Sequence, residues 1–73
     1  MKAYKNSKGV ILAVFKDDSG LYKVYARADE KAYFKKADQR ETAKATRAEA
    51  EADMVEMAHR SHDKTWKLID FRG

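Results

Sequence analysis

Apolar and polar positions follow one rhythm in the first half of the chain and another in the second. Gly9 to Asp17 reads Gly-Val-Ile-Leu-Ala-Val-Phe-Lys-Asp, a β-branched and aromatic run bounded by Lys8-Gly9 and by Asp17-Asp18-Ser19-Gly20. Such a run between turn residues predicts a strand, with Gly20 supplying the positive φ that closes a hairpin. Leu21 to Ala28 then alternates, placing Tyr22, Val24, Ala26 and Ala28 on one face and Leu21, Lys23, Tyr25 and Arg27 on the other. Asp29-Glu30-Lys31 makes a tight connection into a weaker third strand, Ala32-Tyr33-Phe34-Lys35-Lys36. Lys2 to Lys5 predicts a short leading strand at the sheet edge, where its lysines would discourage aggregation.

From Asp38 to His62 the residues become Ala, Glu, Lys, Arg and Met, without Gly or Pro, and a helix is predicted. Its start is open between Asp38-x-x-Glu41 and Thr46-x-x-Glu49, both of capping-box form, so residues 38–46 read equally as helix or loop. Apolar periodicity begins only after Thr46, with Ala50, Met54, Met57 and Ala58 on one face and Glu49, Asp53, Glu56 and Arg60 opposite. His62-Asp63 then supplies a turn into a final strand, Lys64 to Phe71. The expected fold is α+β: a three- to four-stranded antiparallel sheet with one helix packed on one face, in the order ββ(β)αβ. The other face is expected to meet water.

A chain of 73 residues holds one domain, spanning 1–73, because too few apolar side chains remain for a second core. It has no cysteine, which removes disulfides and cysteine-based zinc sites and points to a reducing, cytoplasmic setting. The apolar run Val10 to Phe15 is too short for a signal h-region or a membrane span, so no membrane partner is expected. Sixteen Lys and Arg against twelve Asp and Glu give a formal charge of +4, unevenly placed: residues 1–48 carry twelve basic and six acidic side chains, while Glu49, Glu51, Asp53 and Glu56 crowd the helix.

Candidate chemistry is sparse. Lys8-Gly9 followed by a strand has a likeness to the RNA-binding strand of RRM domains, but Val10 and Leu12 stand where stacking rings belong, and the second helix is missing. His59 and His62 have metal-compatible spacing, yet Arg60 and Lys64 oppose a cation, and the helix dipole alone favours histidine there. Glu49, Asp53 and Glu56 form a carboxylate row of the kind a solvated helix face carries. With no phosphate loop or nucleophile elbow, no enzyme activity, cofactor or metal site is expected.

Basic residues interleaved with aromatics are the remaining signal: Lys23, Tyr25, Arg27, Lys31, Tyr33, Lys35 and Lys36. Lys and Arg neutralise phosphates or carboxylates, and Tyr stacks on bases or anchors protein interfaces. In size, cysteine-free composition and sheet-plus-helix order, the chain resembles short accessory proteins of bacteriophages and mobile elements, including anti-CRISPR inhibitors. That resemblance implies a non-catalytic protein that blocks a nucleic-acid-handling complex by steric occlusion. The expected partners are thus an acidic protein surface or a nucleoprotein complex, with direct DNA or RNA binding and a homodimeric module as alternatives.

Overall fold

The structure is a computed structural model in which residues 1–38 and 42–72 are described. The chain runs β1 (Lys2–Lys5), β2 (Ile11–Lys16), β3 (Tyr22–Arg27), β4 (Lys35–Lys36), α1 (Arg47–Arg60) and β5 (Lys67–Asp70). The strands form one antiparallel sheet in the order β4-β3-β2-β1-β5. The α+β class read from the sequence holds. The sheet differs from that reading in two respects: it has five strands rather than three or four, and β1 lies inside it, because β5 returns after the helix to its open side and becomes the edge itself.

Local chemistry sets the elements. At the β2–β3 hairpin Asp17 Oδ1 accepts from the backbone N–H groups of Ser19 (2.9 Å) and Leu21 (3.0 Å), and Gly20 takes φ +83°. The helix begins at the second capping box: Thr46 Oγ1 accepts from Glu49 N–H (3.3 Å) and donates to Glu49 Oε1 (2.9 Å). Thr42 to Thr46 is not helical, and Lys44 instead makes an isolated antiparallel bridge to Tyr22. Glu41, of the first capping-box reading, lies outside the described residues.

The apolar face of α1 packs on the sheet as its periodicity predicts, burying Ala50 and Met54 against Leu12, Val14 and Val24, with Ala58 buried one turn further on. Tyr4, Tyr22, Ala26, Met57 and Trp66 surround this core.

The opposite face is closed as well. Ala3 and Ala13 on it are 0% exposed, and with Ile11 they lie beneath Phe15, Phe34, Ile69 and Phe71. Phe34 precedes β4 and Phe71 follows β5, on opposite edges of five strands that would stand about 19 Å apart in a flat sheet. Their rings nevertheless meet at 5.6 Å, so the sheet coils and both side chains lean inward over the alanines. The expectation that this face meets water is therefore corrected: four-residue runs such as Ile11–Val14 are buried on both sides, which explains why β2 is apolar without alternation.

Enlarging the alanine floor should test this second layer. Ala13→Leu is expected to lose about 1–3 kcal/mol by overpacking, read as a lower urea midpoint at unchanged m-value; a neutral result would mean the aromatic layer yields freely.

Candidate interaction surface

The seven residues singled out from the sequence divide into an inner and an outer group. Cross-strand register puts Lys23, Tyr25 and Arg27 on the helix-free face, as alternation predicts. They are not an open platform. Lys23 is buried, Tyr25 is half-buried with its ring 5.7 Å from Phe15, and the Arg27 guanidinium sits 5.1 Å from the Phe34 ring and 5.3 Å from that of Phe71. Their stems complete the aromatic layer, a use of long basic side chains that keeps only the head groups near water. Arg27 Nε is buried without a hydrogen-bond partner, as is Trp66 Nε1.

Lys31, Tyr33, Lys35 and Lys36 form the outer group, all exposed along the lip between β3 and β4. The turn leading to it is rigid, because Asp29 Oδ1 accepts from Lys31 N–H (2.8 Å) and Ala32 N–H (3.0 Å). That turn aims Tyr33 into solvent at 88% exposure. Lys36 lies opposite Tyr25 on the helix-free face, whereas Lys35 lies opposite Ala26 and points to the other side. Among the described residues none of the basic side chains in the seven has an ion-pair partner. The helix carboxylates are partly spoken for, by Lys44 with Asp53 (3.7 Å) and Arg60 with Glu56 (3.8 Å).

Sequence reasoning missed a second basic corner. In the β1–β5 register Lys5 stands directly opposite Lys67, beside the loop that carries Lys64. Each lysine is visible in the sequence; their meeting depends on β5 joining β1, which no local pattern announces. Lys64 also takes the capping role that the sequence offers to His59 and His62, since its Nζ donates to the His59 carbonyl at 2.9 Å. No group of three or more His, Cys, Asp or Glu side chains converges among the described residues, and none of their helices is long and apolar enough to cross a membrane.

Two aspartates are tuned by their turns. The Ser19 hydroxyl, followed by the Leu21 N–H, holds the Asp17 carboxyl below its usual range, and Thr65, through its hydroxyl and then its N–H, does the same for Asp63. A native pKa below the unfolded one adds stability above the ordinary aspartate range, lost as pH falls through the lowered value. Unfolding midpoints should thus drop as solutions are acidified below the usual aspartate range, and Asp63→Asn should flatten that drop; an unchanged profile in the variant would assign it elsewhere.

No family model matches this chain, and neither does any curated protein or solved structure.

Proposed function

We propose that this is a non-catalytic binding protein that docks through its β3–β4 lip on an acidic surface of a nucleic-acid-handling protein complex, blocking it by occlusion. The supporting observation is Tyr33, fully displayed on a rigid turn and flanked by Lys31, Lys35 and Lys36 without ion-pair partners. A tyrosine offers large contact area at small entropic cost, and lysines around it steer an anionic partner. Direct binding of single-stranded nucleic acid is favoured less. Base stacking asks for several open ring faces, whereas Phe15, Phe34 and Phe71 spend theirs on one another and on Arg27. The nucleic-acid-handling identity of the partner follows from the resemblance to anti-CRISPR inhibitors.

Capture from nuclease-treated bacterial lysate should retain a discrete complex, and Tyr33→Ala should weaken it by about 30-fold, the loss of a hot spot worth roughly 2 kcal/mol. A partner held equally by Tyr33→Ala and by the Lys31→Gln, Lys35→Gln, Lys36→Gln triple variant would reject the lip. Binding that vanishes with nuclease would transfer the reading to nucleic acid, where five neutralised phosphates weaken affinity by roughly 10²–10³-fold between 50 and 200 mM salt.

One observation favours a homodimer as a second reading. Edge strand β5 carries no helix over it, and its Leu68 is 58% exposed beside Val55 at 37%. Met1 and Phe71 exchange both backbone hydrogen bonds, at 2.8 and 3.0 Å, which by antiparallel alternation turns the N–H and C=O groups of Leu68 and Asp70 outward. Pairing about a two-fold axis would bring two Leu68 side chains together. Sedimentation at rising concentration should then show dimer, abolished by Leu68→Lys; a monomer throughout would remove this reading.

A further inference from the structure

Edge strand β5 presents a neighbour with a different chemistry on each face. The Met1–Phe71 hydrogen bonds fix the alternation: Phe71, Ile69 and Lys67 turn their N–H and C=O groups to β1, while those of Leu68 and Asp70 point away from the sheet. On the helix side α1 packs over β1, β2 and β3 but stops short of β5. Leu68, 58% exposed, therefore shares an open groove of about 330 Å³ with Ala48, Ala52 and Val55 of α1. The groove's charged residues, Lys2 and Glu51, are of opposite sign and favour neither charge in an occupant.

On the helix-free side the edge is charged with one sign. Lys67 stands directly across the ladder from Lys5, and like charges so placed repel. Both lysines are exposed, and among the described residues neither has an ion-pair partner. A second copy of β5 cannot supply one. Antiparallel pairing about a two-fold axis keeps the faces of the two sheets aligned, so Lys67 would meet Lys67, Ile69 or the flanking Thr65 or Phe71, none of them acidic. Asp70 lies on the helix side, where the Met1 ammonium at 3.0 Å and Arg72 at 3.9 Å already hold it.

We infer that β5 is a docking edge for an extended segment of another protein, added as a sixth, antiparallel strand with an apolar residue opposite Leu68 and a carboxylate opposite Lys67. The outward N–H and C=O groups of Leu68 and Asp70 supply the main-chain bonds of strand addition. The apolar side chain covers Leu68 and closes the outer side of the groove. Lys67 falls in a pair without ladder bonds, where opposed side chains come closest. A carboxylate there neutralises Lys67 and relieves its repulsion with Lys5 on the next strand. Edge lysines discourage unselected strands, and this pair also selects for an acidic one. The site lies at the opposite edge of the sheet from β4 and does not depend on the β3–β4 lip.

The probe is a capped peptide containing Thr-Val-Leu-Glu, which in the antiparallel sense sets its Thr against Asp70 and its Glu against Lys67. Titration followed by NMR should saturate and should slow amide hydrogen exchange at Leu68 and Asp70. Exchanging the peptide's Glu for Lys should weaken binding about tenfold, since an attractive cross-strand pair becomes a repulsive one. Proline in place of its Leu removes the N–H that meets the Leu68 carbonyl and should abolish binding. The Lys67→Glu variant should reverse the preference, losing the acidic peptide and gaining the lysine one, a reversal that an unfolded variant could not show. Tyr33→Ala should bind the peptide as wild type does, which keeps this test separate from that of the lip. Absence of saturation, equal affinity for the two charge forms, or unchanged exchange at Leu68 and Asp70 in the bound state would each overturn the assignment. So would a dimer, seen by sedimentation, that excess peptide does not dissociate.

Discussion

The close approach that Ala3 and Ala13 allow on the helix-free face is what the rest of the molecule depends on. Side chains without bulk at these two paired positions leave a hollow in the middle of the sheet, and Phe15, Phe34, Ile69 and Phe71 fill it. One helix over one face of a sheet this small would bury few large groups; Met54, Val14 and Val24 are the largest that are wholly enclosed. A chain of this length has little margin, since domains of its size bury only about 60% of their unfolded surface. The second layer supplies apolar burial from residues at both ends of the chain, and it draws the two edges of the sheet together. Without disulfide or proline to restrain the termini, Phe71 and the Met1–Asp70 ion pair at 3.0 Å tie them instead.

That closure also determines where charge can go. With both sheet faces occupied, the cations are driven to the rims: Lys31, Lys35 and Lys36 at one edge, Lys5, Lys64 and Lys67 at the other. Lys23 and Arg27 stay within the inner layer, Arg27 against two phenyl rings with its Nε unpartnered. An unsatisfied buried N–H costs about 1–3 kcal/mol, and stacking on two aromatic faces offsets part of it. Four of the twelve acidic residues, Glu49, Glu51, Asp53 and Glu56, lie on the helix, across the sheet from the inner cations.

Much of the fold was legible because each element carried its own local signal. The β2–β3 hairpin rested on Asp17 and Gly20, the helix start on Thr46 and Glu49, and the buried helix stripe on Ala50, Met54 and Ala58. What the sequence could not supply was long-range. The position of β1 inside the sheet depended on where β5 would return, and periodicity carries no information about pairing order. The second core was hidden for a related reason: alanines read as neutral in a strand pattern, and Phe34 and Phe71 fall just outside regular strands, so nothing local indicated that they meet. For the same cause the lip residues Tyr33, Lys35 and Lys36 were found from composition alone, whereas the Lys5–Lys67 pair was not.

The burial of Lys23 follows from the same geometry. An ammonium-bearing chain beside Phe15 would be a poor choice for a layer that had to exclude water entirely, whereas a layer only one ring thick lets the stem pack and the head reach the rim. Replacing it with a shorter apolar residue would leave Phe15 uncovered on that side, and a carboxylate there would have a shorter stem. Long basic side chains are thus required by the packing of a thin second core before any partner is considered. The basic character of the inner face is therefore a consequence of how the domain folds, and evidence for binding rests on the residues that packing does not need: Tyr33 at the lip and the unneutralised lysines at both rims.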